Sequence, residues 1–282
     1  MKIGIVTDST CDIPKDIVEE LNINVLPVVM VIEGKDVHDD INFSREEYYT
    51  QIPNYKQHPT TAAPAPKVYI ESYKKLFDKG FDHILSIHAS KKLSAIHNTA
   101  KMVAADFKNK ITVVDSVSLS MGLGYQVIEA AKSVMGGISM DKIITKMDEV
   151  RRKVRVFAFL DTMEYAKKSG RVSWVKASVG GLLNIKPIIE VTDGVLKNYG
   201  QVRSRKKMIN RMSQMIKDMS GNIQNLTMLH TDTLDTVKNI FTNLELKFPE
   251  PTNYAEITPA VGTHTGPGAF GFAVLQKQES SI

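Results

Sequence analysis

The stretch KIGIVTDSTCDIP, residues 2–14, begins with an apolar run that ends on a cluster of polar side chains. We predict a buried β-strand at Lys2–Thr7, because short apolar runs bounded by polar turn residues are typical of strands in parallel sheets. Asp12 and Pro14 then predict the beginning of an α-helix that continues to about Leu21. A strand followed at once by a helix is the unit from which parallel α/β sheets are built.

Strands and helices continue to alternate through the first half of the chain. The segment HPTTAAPAP, residues 58–66, interrupts the pattern, because its three prolines argue against a regular element. The alternation implies parallel pairing with right-handed crossovers. The predicted strands are 25–32, 83–87 and 111–114, and the predicted helices are 44–51, 67–79, 93–107, 120–135 and 140–153.

The regular alternation of strands and helices ends after about Arg155. Asp193-Gly194 lies between two apolar segments, which is typical of a two-residue β-hairpin. We therefore predict a two-domain α/β protein, with an N-terminal parallel-sheet α/β domain at residues 1–155 and a C-terminal α+β domain with a mixed sheet at residues 156–282. The strands predicted in the second half are 155–160, 186–191, 195–199, 224–230, 253–258 and 269–275, and the helices are 162–169, 205–218 and 233–245.

The composition is that of an ordinary globular protein and disfavours several classes. The 282 residues are 43% hydrophobic and 24% charged, which suits about two domains. No apolar run approaches the roughly 18 residues of a membrane span, so no integral membrane association is predicted. Cys11 is the only cysteine, which excludes a disulfide framework and favours a reducing cytoplasm. The net charge of +5 is mild and aromatic residues do not interleave with the basic ones, so nucleic-acid binding is disfavoured.

The segment GTHTGPGAFG, residues 262–271, matches a dinucleotide-binding fingerprint through Gly266, Gly268 and Gly271. That fingerprint indicates a nucleotide site only where it follows a strand and opens a helix, and here only FAVLQKQESSI follows it. We therefore disfavour nucleotide binding. The glycines instead predict a sharp turn whose N–H groups suit a carboxylate or another small anion, with His264 beside it. The alternative is a plain β-turn with His264 facing solvent.

Polar side chains follow three predicted parallel strands, at 7–10, 88–90 and 115–118. Ligands of parallel α/β sheets bind beyond the carboxyl ends of the strands, although Ser, Thr and Asp also favour turns and caps there. Ser94 either caps the helix that it begins or offers its hydroxyl to an anion. Both interpretations stay open at this point.

A hydrolase hypothesis combines Ser94 and His264 with an acid such as Asp8. The chain has no G-x-S-x-G elbow, and any chain of this length contains these residue types, so the signal is weak. The remaining histidines show no metal-ligand spacing, and no metal site is predicted. They are interpreted as core or surface residues: His38, His58, His83, His88, His97 and His230.

The stretch RSRKK, residues 203–207, places cations at the start of a predicted helix whose N-cap candidate is Ser204. Cations in a first turn oppose the helix dipole, by about a few tenths of a kcal/mol each. A binding role for this stretch, such as docking an acidic protein surface, is as well supported as a plain solvated face.

Taken in order, several motifs resemble the DegV family of bacterial fatty-acid-binding proteins, across essentially the whole chain. Each motif alone is a weak signal, whereas the ordered set is a strong one. Thr61 falls in the family's proline-flanked loop. The other motifs are TDSTCDIP (7–14), SIHAS (86–90), LSAIHNTA (93–100), VVDSVSLSMGLG (113–124), KSGRVS (168–173), IKPII with Asp193-Gly194 (185–194), VRSRKK (202–207) and AVGTHTGPGAFG (260–271).

The resemblance implies a protein that holds a long-chain fatty acid between or inside its two domains. It implies the acyl-binding subunit of a fatty acid kinase, which has no nucleotide site or cofactor of its own and presents the carboxyl group to a separate ATP-using subunit. By matching position, the carboxylate site comprises Thr61, Ser94 and His264, together with Ala95 and Gly266. Arg203 would engage the kinase partner, and Arg171 would be structural or part of the interface.

Two departures from the family pattern affect the head-group site. The family usually has Thr-Ser-Gln-Pro where this chain has Thr61-Ala62-Ala63-Pro64, and Ser-Gly-Thr-Tyr where it has Ser94-Ala95-Ile96-His97. Two polar side chains are therefore lost from the loop of Thr61, and the methyl group of Ala95 restricts the approach of a head group. A 16-carbon tail would still offer roughly 12 kcal/mol of gross burial energy, at about 0.8 kcal/mol per CH₂. An acyl hydrolase or acyltransferase using Ser94 and His264 is the alternative function.

Overall fold

The computed structural model describes residues 1–38, 43–172, 185–246 and 253–277. Within them lie thirteen strands and ten α-helices. The strands are β1 (Ile3–Asp8), β2 (Ile23–Leu26), β3 (Val29–Ile32), β4 (Lys35–His38), β5 (Thr60–Ala62), β6 (His83–His88), β7 (Ile111–Asp115), β8 (Val154–Phe159), β9 (Lys186–Thr192), β10 (Val195–Val202), β11 (Ile223–His230), β12 (Asn253–Glu256) and β13 (Phe270–Gln276). The helices are α1 (Lys15–Glu20), α2 (Arg45–Gln51), α3 (Pro66–Asp78), α4 (Ile96–Ala104), α5 (Met121–Met135), α6 (Met140–Lys153), α7 (Glu164–Ser169), α8 (Arg205–Met219), α9 (Leu234–Thr242) and α10 (Pro259–Thr265).

The first sheet is parallel, with the strand order β2-β1-β6-β7. All six residues of β1 are buried, as the continuous apolar run predicts. Ile5 of β1 lies opposite Ile23 on one side and Leu85 on the other. The second sheet is mixed, with the order β10-β9-β8-β13-β11-β12, and only β11 and β12 pair in parallel within it. The predicted fold class is confirmed.

The hairpin predicted at Asp193-Gly194 joins β9 and β10. Both turn residues have positive φ, 53° and 74°, which is the conformation that two-residue hairpin loops favour. The side-chain hydroxyl of Ser44 accepts a hydrogen bond from the backbone N–H of Glu47, so the predicted capping motif also begins α2 as expected.

The two faces of the mixed sheet have different neighbours. Phe157 and Phe159 of β8 pack into a core formed with apolar side chains of α8 and α9. Because side chains alternate along a strand, Val156 and Ala158 point to the opposite face. That face lines the cavity described below.

A third, three-stranded antiparallel sheet, β4-β3-β5, was not expected. The predicted strand 25–32 is wrong as a single element, because the chain leaves the parallel sheet at Pro27 and continues as β3 in this other sheet. The prediction that 58–66 contains no regular element is also wrong. Thr60–Ala62 forms β5, and its Thr61 lies opposite Met30 of β3. The prolines flank this strand without interrupting it.

Two boundaries in the second half also differ from the sequence pattern. The turn predicted at residues 262–271 contains the last part of α10, which begins after Thr258 with Pro259 in its first position. The helix predicted from residue 93 begins at Ile96. The division between domains at 155/156 stays a prediction, and it falls near the beginning of β8. In the described ranges, no helix has both the length and the apolar character that crossing a membrane requires.

Candidate ligand-binding cavity

A cavity of about 340 Å³ lies between the N-terminal half and the face of the mixed sheet that points away from α8 and α9. Its volume is within the range of about 300–1,000 Å³ that is typical of small-molecule sites. Most of the lining is aliphatic, and the described lining residues include no Asp or Glu. The mixed sheet contributes Val156, Ala158, Ile189, Val191, Leu196 and Leu229 to the wall, and Leu160, directly after β8, extends it.

Polar groups from distant parts of the sequence line the same cavity. We call the set Thr61, Ser94, Arg171, His264 and Thr265 the polar cluster. The hydroxyl oxygen of Thr61 lies 3.2 Å from Nε2 of His264, across the junction between β5 and α10. The fold therefore brings together the three residues that the sequence predicted for a carboxylate, and Ala95 also lines the cavity.

His264 has an unusual electrostatic environment. Burial, together with the nearby charges of Arg171 and His58, lowers its pKa to about 3, so the imidazole is neutral near pH 7. Its Nδ1 is buried and has no hydrogen-bond partner among the described residues, and the same is true of the Thr265 hydroxyl. An unsatisfied buried polar group costs about 1–3 kcal/mol, so a hydrogen-bonding group that reached either atom would stabilise this part of the structure.

Two tyrosines of α2 hold the helix that carries His264. The Tyr48 hydroxyl lies 2.7 Å from the hydroxyl of Thr263, and the Tyr49 hydroxyl donates to the carbonyl oxygen of Ile257 at 2.6 Å. Gly262 permits this contact, because a Cβ there would lie 2.2 Å from the Tyr49 hydroxyl oxygen. Helix α10 is thus C-terminal in sequence but packs on an N-terminal helix.

The glycine motif serves the end of α10. Gly266 has φ 78° and ψ 170°, and a Cβ there would lie 2.3 Å from the ring of Tyr165. Its N–H donates to the carbonyl of Gly262, and the N–H of Gly268 donates to Asp232. The expectation that this turn exposes N–H groups to an anion is therefore wrong for these two groups, and Gly266 is not among the cavity-lining residues.

The same glycines stand in the opposite order to that of a dinucleotide site. They follow a helix and lead into β13, whereas the fingerprint requires a strand before it and a helix after it. Gly271 lies within β13, where a Cβ would meet the carbonyl oxygen of Phe157 at 2.2 Å. Close strand packing accounts for this glycine.

Ser94 combines the two roles that the sequence left open. Its hydroxyl oxygen accepts a hydrogen bond from the N–H of Ile96, the first residue of α4, and it also lines the cavity. In the described structure no hydrogen bond joins Ser94 to His264, and Nδ1 of His264 has no carboxylate partner there. The geometry does not assemble the hydrolase arrangement.

The acid proposed for that arrangement belongs to a different histidine. Oδ2 of Asp8 lies 2.9 Å from Nδ1 of His88, and Nε2 of His88 lies 2.8 Å from the hydroxyl of Ser86. Tyr73 completes the chain with its hydroxyl 2.9 Å from Ser86. All four side chains are fully buried, so Asp8 is a structural residue and is wrong as a partner of His264.

The two arginines of the predicted site lie in different environments. Arg171, predicted to be structural or interfacial, lines the cavity, and its guanidinium donates to the carbonyl of Ser169. Only its place in the KSGRVS motif singles it out in the sequence. Ser173, the last residue of that motif, lies outside the described residues. Arg203 is exposed and is not part of the lining, and it precedes Ser204, which caps α8 as predicted.

Three further polar residues line the cavity. Thr265 follows His264 directly, Ser120 precedes α5, and Thr10 lies in a helical turn after β1, within the polar stretch 7–10 for which the sequence left a ligand-binding and a turn interpretation open. Nothing in the sequence distinguishes these hydroxyls from ordinary capping or turn residues, because their role depends on which turns meet in space.

The parallel sheet, the mixed sheet and the cavity with its polar cluster define an α/β protein built around an internal, largely apolar site. Within that class, the chain belongs to the DegV family, since the family model described as "Uncharacterised protein, DegV family" matches residues 2–277.

Relatives with similar sequences cover nearly the whole chain. A DegV domain-containing protein of Clostridium acetobutylicum is 34% identical over 283 residues, which is 98% of this chain and 99% of that protein. A DegV domain-containing protein of Staphylococcus aureus is 33% identical over 97% of this chain and 98% of its own length.

Solved structures of family members have the same fold. A fatty-acid-binding DegV family protein from Thermus thermophilus superimposes with a TM-score of 0.88 at 27% identity, over 98% of this chain and all of the other. DegV from Bacillus subtilis, described as a fatty acid binding protein, gives a TM-score of 0.87 at 27% identity over the same shares of both chains.

Proposed function

We propose that this chain binds a long-chain fatty acid, with the carboxylate at the polar cluster and the hydrocarbon tail along the aliphatic lining. One observation carries the proposal. Thr61, Ser94 and His264 come from three distant segments, yet they line the same largely apolar cavity. The fatty acids bound by the family members from Thermus thermophilus and Bacillus subtilis support it.

The polar cluster has the chemistry that a buried carboxylate requires. A carboxylate removed from bulk water needs hydrogen-bond donors, and charged groups form the stronger hydrogen bonds. Hydroxyl groups and the Arg171 guanidinium supply donors, while the lining residues add no competing carboxylate. The buried Nδ1 of His264 and the buried hydroxyl of Thr265 would gain partners when a head group arrives. Ala95 limits how closely that head group approaches α4.

The aliphatic wall supplies the greater part of the affinity in this proposal. Each CH₂ group buried from water contributes about 0.8 kcal/mol before the costs of binding are subtracted. The cavity-facing residues of β8 and β9 provide a surface without hydrogen-bonding side chains for such a tail. The family's ligand and this surface therefore have matching chemistry.

Identification of co-purified lipid tests the proposal directly. Native mass spectrometry of the purified protein should show a bound acid of about 14 to 18 carbons, whose burial at about 0.8 kcal/mol per CH₂ retains it. Delipidated protein should take up added palmitate. His264→Gln should weaken palmitate binding about ten-fold or more, since hydrogen bonds to charged groups contribute about 1.5–3 kcal/mol.

The matched control is His83→Gln, since His83 begins β6 at the opposite end of the parallel sheet from the cavity. This variant should bind palmitate like the wild type. A wild-type protein that purifies without lipid and takes up no added acid would refute the proposed function.

We further propose that the protein presents its bound acid to a separate ATP-dependent fatty acid kinase subunit in the cytoplasm, with Arg203 as a docking residue. The family resemblance supports this partner, and the exposed position of Arg203 outside the cavity suits docking better than ligand binding. Arg203→Ala should leave palmitate binding unchanged and stop acyl-phosphate formation with the kinase subunit. Arg152→Ala, at another exposed arginine, is the control. Unchanged acyl-phosphate formation in Arg203→Ala would remove Arg203 from the interface.

A further inference from the structure

A buried carboxylate outside the polar cluster connects two walls of the cavity. Asp12 is only 2% exposed. Its Oδ1 accepts a hydrogen bond from the backbone N–H of Thr258 at 2.8 Å, and its Oδ2 accepts one from the hydroxyl of Ser120 at 2.5 Å. Both bonds leave the N-terminal turn and reach segments more than 100 residues away in sequence. The carboxylate therefore ties together parts of the chain that the sequence keeps apart.

Each of these donors belongs to an element of the site. Thr258 is the N-cap residue of α10, and His264 lies six residues further along the chain, in that helix. Ser120 immediately precedes α5 and lines the cavity itself. Its backbone has φ 53° and ψ −144°, an uncommon conformation for serine that the surrounding contacts must maintain. Asp12 thus fixes both the helix that carries His264 and a strained residue of the cavity wall.

We propose that Asp12 is a positioning residue for head-group binding and that its ionisation makes this binding depend on pH. The inference rests on the proposed fatty-acid function. An ionised carboxylate accepts strong hydrogen bonds from both donors. A protonated carboxyl group retains one acceptor for Thr258 but carries a proton on the other oxygen, so the Ser120 hydroxyl must turn to accept. The two walls are then held less firmly, and the acid binds less tightly.

The surroundings of Asp12 bring its pKa into the pH range in which binding is measured. Burial raises its pKa to about 6, against the opposing effects of the Ser120 and Thr258 hydrogen bonds and the charge of Arg45 on α2. Lys15 of α1, Glu46 of α2 and Glu256 of β12 line a groove beside Asp12. Burial raises the pKa of Cys11 on the same turn, so that thiol stays uncharged. His264 stays neutral throughout this range, because its own pKa is about 3.

The sign of the effect distinguishes positioning from simple stabilisation. Because the pKa of Asp12 is raised on folding, this group makes the folded state less stable as pH increases from about 4 to about 6. Acidification through that range therefore favours folding at Asp12, while it weakens ligand binding. A residue with only a structural role would not produce this opposition.

The test compares wild type with Asp12→Asn, which keeps one acceptor for Thr258 and donates to Ser120 as the protonated acid does. Dodecanoate affinity is measured from about pH 5 to about pH 8, and comparison at each pH cancels the titration of the ligand itself. Asp12→Asn should bind about three- to ten-fold more weakly than wild type at the upper end, the range expected from one weakened hydrogen bond, and equally at the lower end. Asp106→Asn, at an exposed aspartate, should match wild type throughout.

Ser120→Ala gives an independent result if Asp12→Asn fails to fold. Without the hydroxyl that the ionised carboxylate holds, Ser120→Ala should bind at the upper end of the pH range as weakly as Asp12→Asn, and its affinity should lack the change that the Asp12 titration gives wild type. Equal affinities of wild type and Asp12→Asn at every pH, or a wild-type pH profile in Ser120→Ala, would overturn the proposal. If wild type binds no acid, the proposed function fails. NMR then tests the positioning role without a ligand. If Asp12 positions His264, the chemical shifts of His264 change with pH as Asp12 titrates, and unchanged shifts would overturn the proposal.

Discussion

His88 and His264 differ in how many of their ring nitrogens have hydrogen-bond partners, and the difference distinguishes a structural histidine from a binding one. Both ring nitrogens of His88 have partners, Asp8 and Ser86, in a fully buried network. His264 has one partner, Thr61, and its other nitrogen is buried without one in the described structure. A satisfied network holds strands together, whereas an unsatisfied group inside a cavity is a cost that a ligand offsets.

The difference predicts that mutations in one region change stability, whereas mutations in the other change ligand binding. Disrupting the His88 network should reduce stability and leave the polar cluster chemically intact. Disrupting the polar cluster should reduce binding and leave stability near that of wild type. Substitutions in both regions test this separation.

Asp8→Ala should lower the free energy of unfolding by about 3–5 kcal/mol, as expected when one partner of a buried charged network is removed. Nδ1 of His88 and the N–H groups of Thr10 and Ala89 would all lose the carboxylate that accepts from them. Urea unfolding monitored by circular dichroism measures the change. Asp106→Ala, at an exposed aspartate, should differ from wild type by less than about 0.5 kcal/mol. A similar loss in both variants would contradict the structural role of this network.

The stability of wild type should fall on acidification through the effect of His264. Its pKa is lowered from 6.5 to about 3 on folding, so between these values the unfolded chain binds a proton that the folded protein does not. The contribution of His264 to the free energy of unfolding is therefore complete above about pH 6.5. Below that pH it decreases, by at most about 1.4 kcal/mol per pH unit.

His264→Gln should lack this part of the pH dependence, and the difference between the two unfolding profiles isolates it. The Asp12 titration has the opposite sign and is common to both proteins, so it cancels in the comparison. Parallel profiles for wild type and His264→Gln between about pH 4 and about pH 6.5 would show that the histidine is not held neutral by burial.

Thr265→Val is expected to have the smallest effect on stability. Its hydroxyl is buried without a partner in the described structure, so replacing it with a methyl group should leave the free energy of unfolding unchanged or raise it by up to about 1 kcal/mol. Palmitate affinity should fall by a few-fold at the same time. Thr263→Val is the contrast, because the Thr263 hydroxyl is bonded to Tyr48 and to the carbonyl of Pro259 and its loss should destabilise the protein. A destabilised Thr265→Val with normal affinity would place Thr265 with the structural group.

The sequence was sufficient for most elements of the fold, for identifiable local reasons. The apolar run at the N-terminus predicted β1, Asp193-Gly194 predicted the hairpin, and Ser44 and Ser204 predicted helix starts. Each of these signals depends on neighbouring residues and on backbone conformations that those residues favour. Such preferences survive in the folded protein when tertiary contacts agree with them.

Helix α10 and strand β5 were missed because their causes are not local. The segment around His264 is rich in glycine and therefore predicts a turn, yet packing against Tyr48 and Tyr49 keeps residues 259–265 helical. Thr60–Ala62 has prolines on both sides, yet pairing with β3 makes it a strand. Tertiary contacts overrode the local preference in both places.

The α/β class and the order of nearly all elements could be read from the sequence, because they follow from periodicity and local turn and cap signals. Thr61, Ser94 and His264 became candidates for one carboxylate site through the resemblance of the ordered motifs to the DegV family. The packed fold was needed to see that Asp8 bonds to His88, that Arg171 lines the cavity and that Asp12 holds the start of α10. The reason is that hydrogen bonds between residues distant in sequence leave no periodic trace in it. Which polar groups are satisfied and which face a cavity is fixed only when the sheets and helices pack together.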